Sequence, residues 1–190
     1  MELNKNQVYT YEDYLKTPEG DVFEILDGQV FNHPAPSRIH QDLIMEISSE
    51  IRNYIKSNNG PCKVYTAPFD VVLVNEGEIE NSSKNVVQPD ISVICDKNKL
   101  TDKGCTGTPD MIIEIVSPSN ASHDYVKKLF LYEKYGVKEY WIVNPMEKVV
   151  SIFSFNGQRF GEPKQYTFDD KIKVNIYNDL DIDFKSLNLE

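Results

Sequence analysis

The chain has little of what would staple or anchor a protein from outside its core. Its three cysteines, Cys62, Cys95 and Cys105, are an odd number with no CxxC spacing. Neither a zinc site nor a disulfide framework is indicated, and reduced thiols are expected. No window approaches the roughly 18 consecutive apolar residues of a membrane span. The opening MELNKNQVYTYEDYLK carries no basic segment followed by an apolar one. A soluble, cytoplasmic protein without membrane contact is the expectation. Positive charge is also short, since 20 Lys and Arg against 30 Asp and Glu give a net charge of -10. Sequence-blind nucleic-acid binding draws mainly on phosphate neutralisation by Lys and Arg, so binding of that kind is disfavoured. A local basic or metal-bearing cleft is not excluded by the same argument.

Repeats, low-complexity segments and Pro/Gly/Ser-rich linkers are absent too, and the 190 residues suffice for one sizeable core. A single domain over 1–190 follows, with a core at about 9–145 and a β tail at about 146–190. YTYEDYLKT reads as a short helix capped by Thr10, and FEILDGQVF as a hairpin around Asp27-Gly28. From about His40 to Ser57, apolar residues recur at three and four, which predicts an amphipathic helix. KVYTAPFDVVLV and VVQPDISVI each read as a strand, separated by the polar and mobile loop NEGEIENSSKN. A second helix is expected at about Ser122 to Tyr135, with Val126, Leu129, Phe130 and Leu131 inward and Gly136 as its stop. EYWIV, VVSIFSFNGQRF and KIKVNI supply further strands. The predicted class is α/β, with one central mixed sheet, helices on both faces and a small C-terminal β extension.

One residue resists that pattern. DMIIEIVSPSN has the near-continuous aliphatic character of a strand covered on both faces, yet Glu114 sits in its middle. A buried ionised carboxylate without a partner is costly, so the group is neutral, paired with a cation, metal-bound or less buried than the run suggests. Two more acids stand in apolar surroundings: Asp90 within VVQPDISVI and Glu24 between Phe23 and Ile25. Carboxylates converging on neighbouring strand ends are the hard oxygen ligands of Mg²⁺ or Mn²⁺. In the following helix, Asp124 and Lys128 stand four apart and share a face. They read either as a surface pair or as a lysine aimed at Glu114.

Together these segments resemble the Uma-type restriction endonuclease family of the PD-(D/E)XK nuclease superfamily. The resemblance runs from about Tyr9 to Pro145, through FEILDGQV, SRIHQDL, QPD at 88–90, IIEIVSPSN at 112–120, DYVKKLFLY at 124–132 and YGVKEYWIVNP at 135–145. It implies a restriction-endonuclease-like fold and divalent-metal hydrolysis of DNA phosphodiesters. Asp90 matches the Asp of the PD element, Glu114 the acid of the (D/E)XK element, Glu24 the early glutamate and Lys128 a lysine on the following helix. The resemblance further implies that Asp90, Glu114 and the backbone carbonyl of Ile115 hold Mg²⁺ or Mn²⁺, and that His40 contacts substrate. The chain departs from the superfamily at Val116, where strand periodicity would set the usual lysine on the same face as Glu114. A lysine from the next helix can deliver the amine instead, and Lys127, about 100° further round, cannot face the same cleft.

Asp70 reads as a strand-end residue, Tyr140 and Trp141 as core, and KNKLTDKG as a solvated loop. Two functions fit this reading. The first is a metal-dependent endonuclease acting on DNA, expected as a C2 homodimer with the β tail as interface. The second is a non-catalytic binding or dimerisation module on the same scaffold, consistent with the acidic net charge and the missing strand lysine.

Overall fold

The computed structural model describes residues 7–18, 23–32, 35–117 and 123–189, with the backbone alone at 123–125. Helix α1 (Tyr11–Tyr14) is one turn, and the Asp13 carboxylate accepts hydrogen bonds from both the N–H and the hydroxyl of Thr10. Strands β1 (Phe23–Leu26) and β2 (Gln29–Asn32) form the expected hairpin. Its turn residues, Asp27 and Gly28, take φ values of 48° and 80°. Gly28 is required twice over, because a Cβ there would lie 2.5 Å from Val8 Cγ1. Helix α2 (Arg38–Ser57) begins two residues earlier than expected, with the Ser37 hydroxyl oxygen accepting from the His40 N–H.

The strands that follow are β3 (Lys63–Thr66), β4 (Asp70–Val72), β5 (Val86–Val87), β6 (Ile91–Ile94), β7 (Leu100–Thr101), β8 (Gly104–Thr106) and β9 (Met111–Ile115). A π-helical turn, His123–Lys128, leads into α3 (Leu129–Tyr135), which stops at Gly136 with φ 74°. The chain closes with β10 (Glu139–Asn144), β11 (Val149–Ser154), β12 (Lys164–Thr167), β13 (Lys171–Lys173) and β14 (Asp181–Asp183).

These strands do not make one central sheet, which corrects the expectation. They form two six-stranded mixed sheets, ordered β2-β1-β5-β4-β8-β7 and β12-β11-β10-β9-β6-β3, plus the small pair β13-β14. Two prolines explain the difference. KVYTAPFDVVLV, read as one strand, breaks at Ala67-Pro68-Phe69 into β3 of the second sheet and β4 of the first. VVQPDISVI breaks at Gln88-Pro89-Asp90 into β5 of the first and β6 of the second. Proline has no N–H to donate to a ladder, so each break lets the chain change sheets.

Helix α2 and the C-terminal segment cover one face of the second sheet, where Leu43, Ile47 and Ile51 pack with Ile91, Ile113, Trp141, Ile172 and Phe184. The β tail therefore supplies core. The other face meets the first sheet and α3 through Leu26, Val71, Ile112, Ile142, Leu131 and Tyr132. Along β9 and the residue after it the side chains alternate accordingly: Met111, Ile113 and Ile115 join the α2 side, while Ile112 and Val116 join the inter-sheet core. Glu114, two residues from each of the last pair, projects between the sheets.

Two further expectations change. Val126 and Phe130 are 51% and 66% exposed, and the buried seam is Lys128, Leu131 and Tyr132. That seam keeps helical i, i+3, i+4 spacing but begins on a lysine, so a search for apolar starts selects Val126 instead. Cys62 and Cys95 form a disulfide, with only Cys105 free. The antiparallel register Lys63↔Ile94 sets these two cysteines side by side, a neighbourhood 33 residues apart in sequence. The loop between β4 and β5 is anchored at its end, where the Ser83 hydroxyl donates to the Leu73 carbonyl and Asn85 Oδ1 accepts from the Asp27 N–H. Among the described residues, no helix is long and apolar enough to cross a membrane.

Candidate active site

The inter-sheet core closes around a lysine. Lys128 Nζ lies 3.0 Å from Glu24 Oε1 and 2.9 Å from Glu114 Oε1. Exposure of these residues is 1% for Lys128, 0% for Glu24 and 3% for Glu114, so all three charges are withdrawn from water. Glu24 comes from β1 of the first sheet, Glu114 from β9 of the second and Lys128 from the π-helical turn. The cluster thus joins three parts of the fold that are remote in sequence.

Surrounding donors complete it. The Tyr132 hydroxyl, one helical turn beyond Lys128, donates to Glu114 Oε1 at 2.7 Å. The Gln88 backbone N–H donates to Glu24 Oε1 at 2.7 Å. Burial pushes the Tyr132 phenol well above its ordinary pKa, with the charges of Glu114 and Glu24 adding to the rise. The phenol therefore remains a hydrogen-bond donor at neutral pH.

Asp90 lies at the second proline break, just before β6. The pairing Ile91↔Ile113 brings it alongside Glu114, and its Oδ2 accepts the Ile115 N–H at 2.7 Å. His40 Nε2, from the first turn of α2, is 3.1 Å from the same oxygen, while His40 Nδ1 is buried without a hydrogen-bond partner among the described residues. The structure thus brings Glu24, Glu114 and Lys128 together as one group and sets Asp90 with His40 beside it. Lys127 turns elsewhere, its Nζ lying 4.3 Å from the centre of the Phe31 ring. The side chain of Asp124, expected to pair with Lys128, lies outside the described residues.

A sequence profile described as "Putative restriction endonuclease", Uma2, matches residues 10–185. The chain belongs to the Uma2 family. Among its relatives, the "Uncharacterized protein slr1290" of Synechocystis sp. is 24% identical over 148 residues, 76% of this chain and 73% of that protein. A crystal structure of "a putative nuclease belonging to DUF820" from Anabaena variabilis superposes with a TM-score of 0.74 at 22% identity, covering 94% of this chain and 97% of that one. The second likeness establishes that the two proteins share a fold.

Within this Uma2 chain, the donor set can be tested against a divalent ion. Among the described residues, no three His, Cys, Asp or Glu side chains converge as a ready metal cage. Mg²⁺ does not need one, because it binds through one or two carboxylates and keeps several waters. The carboxylates of Asp90 and Glu114 with the Ile115 carbonyl are hard oxygen donors on adjacent strands, and among the described residues both carboxylate contacts of Asp90 fall on Oδ2. That chemistry fits Mg²⁺ or Mn²⁺.

One contributor escapes a reading of the sequence. Gln88 serves Glu24 through its backbone N–H, a role no side-chain type advertises; its place in QPD is the only signal. Its side-chain amide donates to Asp70 Oδ1 at 2.7 Å, and the Tyr14 hydroxyl donates to that oxygen at 2.9 Å. Asp70 does open β4, as expected, but it is tied through Gln88 to the cluster. Tyr140 and Trp141 are buried core residues.

Proposed function

We propose that this protein is a divalent-metal-dependent endonuclease that hydrolyses DNA phosphodiester bonds. The observation that carries the reading is the buried Lys128 ammonium shared by Glu24 and Glu114. A buried ion cluster is poor at stabilising a fold relative to apolar packing, and perturbed charges of this kind concentrate at functional sites. Family membership gives the reaction class in which such a cluster has a use.

Asp90, Glu114 and the Ile115 carbonyl would hold Mg²⁺ or Mn²⁺. Such an ion would supply polarisation of a phosphoryl oxygen and a bound water of lowered pKa. Lys128 offers a fixed ammonium to the hydrolytic water and to the negative charge that grows on the phosphoryl oxygens. Glu24 holds that ammonium from the opposite side, and the Tyr132 hydroxyl fixes the orientation of Glu114. His40, whose Nε2 lies against Asp90 Oδ2, would contact the substrate in this reading. Val116 packs in the inter-sheet core, and in this reading Lys128 supplies the amine that the superfamily places on the strand. Cutting both strands calls for two sites, so the working unit in this proposal is a C2 homodimer.

The test is cleavage of plasmid and linear DNA with Mg²⁺ or Mn²⁺. Glu114→Ala and Lys128→Ala should each lower the rate by about 10²-fold or more, the usual scale for losing a charge-stabilising group. Folded variants that cut at the parental rate would sink the assignment.

One observation favours the second reading, a binding module: the three charges already satisfy one another away from solvent. Calorimetric titration with Mg²⁺ and Mn²⁺ separates the two. Binding lost in Asp90→Asn supports the enzyme, whereas no binding even with DNA present supports the module.

A further inference from the structure

Gln88 faces two ways. Its backbone N–H serves Glu24, while its side-chain amide lines a separate groove of about 490 Å³ at the edge of the first sheet. Tyr14, Tyr65, Phe69, Asp70 and Lys103 line the same groove. The Tyr65 and Phe69 rings lie parallel, with centroids 4.2 Å apart and planes 5° apart. On the same lining, Asp70 is oriented by its two donors, Tyr14 and Gln88. Asp70 raises the Tyr14 phenol above its ordinary pKa, second to burial, so this donor also persists at neutral pH.

We propose that the groove takes an unpaired nucleobase of a DNA strand whose backbone passes the Glu24–Lys128–Glu114 cluster. This deepens the nuclease reading and rests on it. The ring stack offers a flat apolar partner to a base, the commonest device for holding single strands without sequence preference. The charge balance selects the base over its phosphate: Asp70 and Asp102 on the lining outnumber Lys103. A carboxylate repels phosphate but accepts from exocyclic amino groups such as cytosine N4. The substrate class is therefore DNA with unpaired bases next to the scissile phosphate, such as single strands, flaps or frayed ends.

Binding measured in EDTA reads the groove without catalysis. Fluorescence anisotropy would compare labelled short oligo-dC, oligo-dT and a blunt hairpin whose stem is closed by a non-nucleotide linker, so that it lacks unpaired bases. The parent should bind oligo-dC more tightly than oligo-dT and at least about fivefold more tightly than the hairpin. Tyr65→Leu and Phe69→Leu keep apolar bulk but remove stacking, and should weaken oligo-dC binding about fivefold or more. Asp70→Asn can still accept from Tyr14 and Gln88 and should abolish the preference for dC over dT. Thermal melts identify folded variants, and Phe69→Leu and Asp70→Asn suffice if Tyr65→Leu does not fold.

Parental affinity in folded Phe69→Leu, or hairpin binding equal to that of oligo-dC, overturns the inference. Competition by free cytidine at the affinity of the oligonucleotide overturns it as well, by making the groove a nucleoside site. Failure here leaves the nuclease reading to be decided separately by cleavage in Glu114→Ala and Lys128→Ala.

Discussion

Glu114 and Glu139 are both buried carboxylates on paired parallel strands, β9 and β10, and they project from opposite faces of the second sheet. Glu139, on the α2 side, is met among the described residues only by uncharged donors. Its Oε1 accepts from Trp141 Nε1 at 2.7 Å, the Asn175 N–H at 3.0 Å and Asn175 Nδ2 at 2.9 Å. Its Oε2 accepts the Ile176 N–H at 2.8 Å. That arrangement clamps the C-terminal segment onto β10 and uses the carboxylate as a hydrogen-bond hub. Glu114, on the inter-sheet side, is met by a lysine that a second carboxylate also holds. The two sites show that this fold can bury an acid with neutral donors alone. The cation beside Glu114 is therefore not a general requirement of burial here, which is why it supports the proposed function.

The largest expected effect breaks the inter-sheet cluster. Lys128→Met leaves Glu24 and Glu114 buried together without their cation, and should cost about 3–5 kcal/mol of stability in urea unfolding. Adding Glu24→Gln and Glu114→Gln to that variant should restore much of the loss while DNA cleavage stays absent. Full recovery of cleavage in the triple variant would show that the charges have no catalytic role. Glu139→Gln is the matched control. It sets an amide N–H₂ against the Ile176 N–H and should cost about 1–3 kcal/mol, the price of one buried group left unpaired. In folded protein the DNA cleavage rate should not change. A loss of cleavage equal to that in Glu114→Ala would erase the functional distinction between the two acids.

The asymmetry between these acids also governs what a reading of the chain can see. Glu114 interrupts an aliphatic run, so its oddity is visible without a structure, and Lys128 becomes visible through the resemblance to the family, which carries its lysine on the following helix. Glu139 opens its strand after Lys138, where a charged residue looks like ordinary strand-end polarity. Its partners Asn175 and Ile176 are set by the path of the C-terminal segment, which no local pattern encodes. Sheet membership was hidden for a related reason. Hydrophobic alternation marks each strand but does not say which sheet it joins, and Pro68 and Pro89, which decide that, read equally well as bends within one strand. The disulfide depends on the register of β3 against β6, so cysteine spacing cannot reveal it.

The smallest effect separates the two faces by pH. The Tyr132 phenol, raised by burial and then by Glu114 and Glu24, keeps its proton in the folded chain at a pH where the unfolded chain, near the ordinary value of about 10, has lost it. Its contribution to stability is fully present below pH about 10 and is lost as pH rises toward the folded value. The loss can reach about 1.4 kcal/mol per pH unit for this one proton. Tyr14 and Tyr177, also raised, add slopes of their own, Tyr177 until about 12. Urea unfolding of the parent between pH 9 and pH 11, as test conditions on either side of about 10, should therefore show stability falling. Tyr132→Phe should fall less steeply, whereas Glu139→Gln should keep the parental slope because no raised phenol touches that acid. Equal slopes in all three proteins would mean that Tyr132 feels neither its burial nor the carboxylates of the cluster.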